Sequence, residues 1–186
     1  LALKPDNPSL GATVGNIDLT RPLTDQELAE LKRAFTEYQV LFFRDQQISH
    51  DDRARLAEYF GIIGQHVGKK TNSQPSDDPR VRKFYASGDV PRVSGNLWHT
   101  DQSCAPVPPM ASILYLHTIP DNGGGDTGYA SMYAAYDALS DRMKVYLDGL
   151  TAVHEGKHVF GDGTPDAVHP CLLYTSRAHE TDINLV

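Results

Sequence analysis

The chain has 186 residues, 40% of them hydrophobic and 22% charged, which is enough for one globular domain with its own core. Its net charge of −7 argues against a nucleic-acid partner, because nucleic-acid-binding proteins carry a basic surface. Without a long apolar run, a signal peptide or a disulfide framework from its two cysteines, the sequence predicts a cytoplasmic protein with no membrane partner.

The first 45 residues predict two short strands on either side of a helix. Residues 10–19 are typical of a glycine-punctuated strand, and Thr24 with Glu27 forms a capping box that opens the helix. Residues 39–44 follow as a buried strand rich in apolar and aromatic side chains. The helix between the strands carries one apolar stripe, made of Leu28, Leu31 and Phe35.

A second capped helix and a long polar loop come next. Ser49 is the predicted N-cap, and the apolar face of this helix is Leu56, Tyr59 and Phe60. Residues 64–94 are rich in proline, serine and lysine and predict a loop, with one strand over 80–85. Loops of this length in compact domains often bind ligands or close over them.

The second half of the chain predicts more strands and two more helices. Residues 111–119 are typical of a strand, and Ser131 and Ser140 each open a helix before another strand starts at Thr151. The second of these helices has apolar residues at helical spacing, which we expect in the core: Met143, Tyr146, Leu147 and Leu150. Many strands with a few peripheral helices indicate a β-rich α+β domain.

His99 and Asp101 are the first candidate site. In an extended segment, residues two apart point the same way, so the imidazole and the carboxylate would share one face. Such a pair can supply two of the three protein ligands of a 2-His-1-carboxylate iron site. The alternative is a non-catalytic binding domain in which His99 and Asp101 form an ordinary solvated pair on a surface strand.

A second metal-like pattern lies at His154-Glu155-Gly156-Lys157-His158. On a helix, this H-E-x-x-H spacing places two histidines on one face to bind zinc, with Glu155 as general base of a hydrolase. The strand-like residues before it and the glycines within and after it disfavour a helix. We therefore expect a polar loop after a strand, and keep the zinc hydrolase as an alternative.

Several motifs in order give the chain a family resemblance. They are residues 98–101 (WHTD), 124–127 (GGDT), 130–136 (ASMYAAY) and 149–154 (GLTAVH). With the helix and strand of the N-terminal region, this series resembles the TauD/TfdA family of Fe(II)/2-oxoglutarate-dependent dioxygenases. The resemblance covers nearly all of residues 1–170.

The resemblance implies a fold, a metal site and a co-substrate site. The fold is a double-stranded β-helix, a jelly-roll barrel with peripheral helices. His99 and Asp101 are two of the three Fe(II) ligands, and Thr127 hydrogen-bonds 2-oxoglutarate. Asn96 and His66 lie where some members of the family contact substrate, and by the same pattern His154 and His158 are not metal ligands.

The resemblance also implies a reaction. The enzyme uses O2 and 2-oxoglutarate, releases succinate and CO2, and oxidises a small, often anionic substrate such as a sulfonate, an aryloxyacid or a sulfate ester. In related halogenases a small residue replaces the carboxylate ligand, so Asp101 predicts hydroxylation. Dimers and tetramers occur in the family, so a homo-oligomer is open.

The end of the chain departs from the family pattern. The second metal histidine and the arginine that binds 2-oxoglutarate are expected about a hundred residues further on. Residues 171–186 instead resemble the translation of a sequencing-library adapter, so we expect a non-native tail from Cys171 onward. On this reading the C-terminal part of the domain is missing, His179 is no substitute ligand, and the 186-residue chain alone is inactive.

Overall fold

Residues 1–64, 67, 77–85 and 97–172 are described in the computed structural model of the protein. Within these ranges no helix is both long enough and apolar enough to cross a membrane. The N-terminal elements are β1 (Ala2–Pro5), β2 (Ala12–Gly15), α1 (Asp25–Tyr38), β3 (Leu41–Phe42) and α2 (His50–Glu58). The later elements are α3 (Met132–Asp137), α4 (Asp141–Leu147), β4 (Thr151–Glu155), α5 (Lys157–Phe160) and β5 (Asp166–Pro170).

The N-terminal elements share one small hydrophobic core. β2 lies at the centre of a three-stranded sheet, antiparallel to β1 and parallel to β3. The stripe predicted for α1 packs on this sheet, with Leu31 and Phe35 buried beside Leu41. The rings of Phe35 and Phe60 meet edge to face, with centroids 5.3 Å apart. Met110, Ala111 and Ile113, from the later part of the chain, also pack against this core.

Both predicted helix starts in this region are confirmed. The Thr24 hydroxyl accepts a hydrogen bond from the Glu27 amide, and the Glu27 carboxylate accepts one from the Thr24 amide at 2.8 Å. Ser49 and Asp52 form the same reciprocal pair at the start of α2. These side chains satisfy amides that a first helical turn leaves without partners. The strand predicted within residues 10–19 is confirmed as β2.

The hairpin-like pair of β4 and β5 forms a second, two-stranded sheet. The strand predicted to start at Thr151 is confirmed, and Val153 faces Val168 across the antiparallel ladder. Because successive side chains alternate between faces, Ala167 and His169 are buried while Val153 and Val168 are exposed. One face of this sheet is therefore open, and it carries Glu155 and Asp166 as well as the two valines.

The strand predicted over residues 111–119 is wrong for the described structure. These residues form no regular element. A strand needs the ladder of a neighbouring chain segment, and no described residues pair with this one. Its first half is anchored, since Ala111 and Ile113 pack against the N-terminal core and Tyr115 contacts Gln46, while Leu116 and Ile119 stay exposed.

The core predicted for α4 is also wrong. Ser140 caps this helix as expected, but no residue of α4 is buried. Its apolar residues Met143 and Tyr146, and Leu150 after it, are exposed. Helical spacing creates an apolar face, but burial requires another element to cover that face.

Two other strands are shorter than the sequence predicts. The buried strand expected over 39–44 is reduced to β3, because Gln39 adopts a left-handed conformation with φ of 64° as the C-cap of α1. Residues 80–85 form no regular strand. The described part of the chain is thus mixed helix and strand rather than β-rich, and it contains no closed barrel.

Candidate metal centre

His99 and Asp101 come together as the sequence predicts. His99 Nε2 lies 3.6 Å from Asp101 Oδ1, and the two side chains are 54% and 44% exposed. The extended strand assumed for them is absent, because a turn begins at Asp101 and Gln102 has a positive φ of 48°. The turn keeps both donor atoms on the same side of the backbone, where solvent can reach them.

The orientation of the His99 ring is set by its own backbone. His99 Nδ1 donates a hydrogen bond to the Leu97 carbonyl oxygen at 2.7 Å. A neutral imidazole carries one ring proton, so this bond places the proton on Nδ1 and leaves the Nε2 lone pair free. Metal-binding histidines commonly hold their second nitrogen in this way.

The Asp101 carboxylate is held from the opposite side. The Ser112 hydroxyl donates to Asp101 Oδ2 at 2.5 Å, which leaves Oδ1 directed toward His99. Ser112 was missed in the sequence because it is eleven residues away and sits in an apolar run. The one sequence feature that could have indicated Ser112 is its hydroxyl, which stands between the apolar residues Ala111 and Ile113 at the start of that run.

The donor atoms fit a divalent metal of the first transition row. Imidazole nitrogen and carboxylate oxygen suit such a metal, and bonds of about 2.1 Å at a right angle would place the two donors about 3 Å apart. The observed separation of 3.6 Å is close to that value. Nε2 and Oδ1 could therefore hold a metal after a small side-chain rotation.

A complete ligand set does not occur among the described residues. Within 1–64, 67, 77–85 and 97–172, no three His, Cys, Asp or Glu side chains are grouped so that they could hold a metal ion. Asn96 and His66, predicted to contact substrate, lie outside the described residues. The neighbour of His66 is described: the Val67 amide donates to Gln102 Oε1 at 2.8 Å, next to Asp101.

Thr127 lies in a segment that contacts the metal-ligand segment. Thr127 is exposed, and burial raises the pKa of Tyr129, two residues further on. A Cβ atom added at Gly128, the next residue, would lie 3.3 Å from Cη2 of Trp98. The candidate residue for binding 2-oxoglutarate is thus joined to the candidate ligands through neighbouring residues.

The H-E-x-x-H residues are not arranged as a zinc site. His154 and Glu155 belong to strand β4, and only His158 lies in the short helix α5. The His154 ring meets the edge of the His169 ring at 5.3 Å, while His158 Nε2 pairs with Glu155 Oε2 at 3.1 Å. One helix carrying both histidines, which the zinc hydrolase requires, is absent. The polar loop expected here is nevertheless wrong, because these residues form the end of β4 and the start of α5 on either side of Gly156.

The sequence matches a known protein family along most of its length. A profile described as "Taurine catabolism dioxygenase TauD, TfdA family" covers residues 2–181. The chain belongs to this family. An alpha-ketoglutarate-dependent 2,4-dichlorophenoxyacetate dioxygenase of Cupriavidus pinatubonensis is 33% identical over 165 residues, which are 81% of this chain and 56% of that protein.

Solved structures of TauD/TfdA-like proteins share the fold. A taurine dioxygenase from Burkholderia xenovorans is 27% identical, with a TM-score of 0.65, over 91% of this chain and 57% of that one. A protein called AAD-2, solved with Mn(II) and N-oxalylglycine, is 24% identical, with a TM-score of 0.64, over 91% of this chain and 66% of that one. The chain spans about half the length of the curated relatives it matches.

Proposed function

We propose that this TauD/TfdA-family protein is an Fe(II)- and 2-oxoglutarate-dependent dioxygenase that hydroxylates a small organic anion. The observation that carries the proposal is the convergence of His99 Nε2 and Asp101 Oδ1 at 3.6 Å. Relatives named as alpha-ketoglutarate-dependent dioxygenases support the reaction class. The solved complex of AAD-2 with Mn(II) and N-oxalylglycine supports a divalent metal and an oxoacid-like ligand in this fold.

Each candidate residue has a separate role in this proposal. His99 and Asp101 bind the metal through Nε2 and Oδ1, and the Thr127 hydroxyl hydrogen-bonds 2-oxoglutarate. When bound, Fe(II) with 2-oxoglutarate and O2 supplies the oxidation of a substrate C–H bond, with succinate and CO2 as the other products. Asp101 occupies a ligand position that a halide would need, so the product is an alcohol rather than a halide. Asn96 and His66 are proposed substrate contacts.

The names of the relatives support a class of substrate rather than a single compound. The matched proteins include a 2,4-dichlorophenoxyacetate dioxygenase, a taurine dioxygenase and an alkylsulfatase, whose names describe small anionic substrates. We therefore propose an aryloxyacid, a sulfonate or a sulfate ester. The loop over 64–94, most of which is outside the described residues, is the proposed source of selectivity.

The complete domain is proposed to be a jelly roll. Residues 1–170 would be the N-terminal portion of one dioxygenase domain, and 171–186 a non-native tail. The unpaired segment 111–119 and the open face at Val153 and Val168 are then surfaces that other strands cover. Because the described residues provide two metal ligands, we propose that the 186-residue chain does not turn over by itself.

The test uses the protein expressed from its complete natural gene. Succinate formation from 2-oxoglutarate, Fe(II) and O2 is measured for the wild type and for His99→Ala and Asp101→Ala. We expect the wild type to turn over slowly without substrate and faster with one of the three substrate classes. Both variants should lose at least a hundredfold in rate, which corresponds to about 3 kcal/mol in the activation barrier.

His117→Ala is the matched control, because His117 is an exposed histidine whose ring Nδ1 contacts the Thr118 hydroxyl at 3.0 Å. This variant should keep wild-type activity. A wild-type protein that neither binds Fe(II) nor consumes 2-oxoglutarate would refute the proposal. Succinate production by the isolated 186-residue chain would refute only the claim that this chain is inactive.

A further inference from the structure

The Asp101 carboxylate has two different oxygen atoms in this structure. Oδ2 accepts a hydrogen bond from the Ser112 hydroxyl, with 2.5 Å between the oxygen atoms, and Oδ1 faces His99 Nε2 at 3.6 Å. A carboxylate on a short side chain can otherwise rotate about its terminal torsion, which has a broad and nearly two-fold profile. The hydrogen bond selects one of the two orientations and assigns a separate task to each oxygen.

Ser112 is itself fixed by the N-terminal core. Its neighbours Ala111 and Ile113 pack against that core, and the Ser112 hydroxyl between them reaches Asp101. Tyr115 strengthens the anchor, because its hydroxyl contacts the Gln46 carbonyl oxygen at 3.4 Å. The guanidinium of Arg53 also lies 4.7 Å from the centre of the Tyr115 ring. The position of the hydroxyl is therefore set by packing remote from the metal site.

A metal bound through Oδ1 alone gains from this arrangement. If Oδ2 also bound the metal, Asp101 would occupy two coordination positions and leave fewer for 2-oxoglutarate and O2. An oxygen that accepts a strong hydrogen bond has less electron density to offer a metal, so Ser112 favours one-point binding. Hydrogen-bond partners of ligating side chains commonly change metal affinity by 10–100-fold.

We infer that Ser112 is a positioning residue that holds Asp101 for one-point binding of the divalent metal through Oδ1. The inference rests on the proposed function, since it requires that Asp101 is a ligand. Ser112 lies outside the ligand set, and its hydroxyl acts through Asp101. Loss of that hydroxyl changes the affinity and the coordination of the metal more than it changes the fold.

The test measures metal binding rather than turnover, in the protein from the complete gene. Mn(II) affinity is measured from the free-ion signal in electron paramagnetic resonance, and coordination from the visible spectrum of bound Co(II). Ser112→Ala should weaken Mn(II) binding about tenfold or more and change the Co(II) spectrum. Ser112→Thr keeps a hydroxyl and should restore both readouts.

The control is Ser131→Ala, since Ser131 also uses its hydroxyl in two contacts, capping α3 and donating to Gln39 Oε1 at 3.0 Å. It should lower the melting temperature without changing metal affinity or the Co(II) spectrum. If Ser112→Ala does not fold, Ser112→Cys keeps the volume with a much weaker donor and carries the same expectation.

The outcomes separate the inference from the proposed function. If the wild type binds no Mn(II), the proposed function and this inference fail together. If the wild type binds Mn(II) and Ser112→Ala binds it equally with the same Co(II) spectrum, only the inference is refuted. It is also refuted if Ser131→Ala weakens binding as much as Ser112→Ala, because the effect would then be a general loss of stability.

Discussion

The indole of Trp98 lies against Gly128, so that a Cβ atom added at Gly128 would be 3.3 Å from Trp98 Cη2. Trp98 directly precedes His99, and Gly128 directly follows Thr127. The contact therefore joins the segment that holds the proposed metal ligands to the segment proposed to bind 2-oxoglutarate. Since Trp98 is otherwise 77% exposed, a side chain at position 128 would push the indole outward.

Replacing Gly128 by valine should displace Trp98. The larger side chain cannot share the space of the ring edge, so the indole becomes more hydrated and its fluorescence should shift to longer wavelength. Trp98 is the one tryptophan of the 186-residue sequence, so the emission of this chain reports on that residue alone. Gly64→Val is the control, because no atom of the described residues lies within 4 Å of a Cβ atom at Gly64. Identical spectra for wild type and Gly128→Val would contradict the contact.

Gly156, inside the H-E-x-x-H pattern, should be needed for packing. An added Cβ atom would overlap the Thr164 methyl and lie 2.7 Å from the Pro165 carbonyl oxygen and 2.9 Å from Cys104 Sγ. The backbone carbonyl cannot move aside without a shift of the chain. Gly156→Ala should therefore destabilise the fold by about 1–3 kcal/mol, measured by urea unfolding, with Gly64→Ala as the neutral control.

Thiol labelling gives a second readout of the same packing. Cys104 is buried, and burial raises the pKa of its thiol, whereas Cys171 is exposed. In the 186-residue chain, a disulfide reagent should label Cys171 rapidly and Cys104 slowly, because the thiolate is the reactive form. Gly156→Ala should accelerate labelling of Cys104. Equal rates at Cys104 in both proteins would show that Gly156 does not hold this region closed.

Stability should fall in acid through the helix-capping carboxylates. A side-chain hydrogen bond from Arg21, followed by the backbone bond from Thr24, lowers the pKa of Glu27 from 4.5 to about 2. In the window from about 4.5 down to about 2, the unfolded chain takes up a proton that the folded chain does not. The stabilising contribution is therefore complete above that window and is lost as the pH falls through it.

Glu27→Gln should flatten the pH dependence in this window. The amide does not titrate, so urea midpoints measured across the window should fall less steeply than in the wild type. Glu58→Gln is the control, because this exposed carboxylate contacts neither Arg21 nor Thr24. If the two variants showed the same slope as the wild type, the ion pair with Arg21 would not contribute to acid stability.

The features that the sequence predicted correctly depend on nearby residues. The caps at Thr24 and Ser49 each involve a partner three positions away, so the pattern contains the whole interaction. The pairing of His99 with Asp101 is equally local, because two side chains two positions apart need only the right backbone turn. Gly156 likewise disfavours one continuous helix through His154 and His158 by its local backbone preference alone.

The features that were missed depend on distant packing. Ser112 meets Asp101 only because Ala111 and Ile113 are anchored in a core built from the N-terminal helix and sheet. The predictions of a buried apolar face on α4 and of a strand over 111–119 are wrong for the same reason. The spacing of apolar residues shows which face can be buried, but it does not show whether another element covers that face.

Binding of Mn(II) to the protein from the complete gene tests the central claim most directly, because two candidate metal motifs compete in one chain. The measurement compares wild type, Asp101→Ala and Glu155→Ala by the free Mn(II) resonance signal. The account predicts that Asp101→Ala loses binding at least tenfold and that Glu155→Ala binds as the wild type does, since the Glu155 carboxylate is paired with His158 at 3.1 Å. Loss of binding in Glu155→Ala with full binding in Asp101→Ala would contradict it.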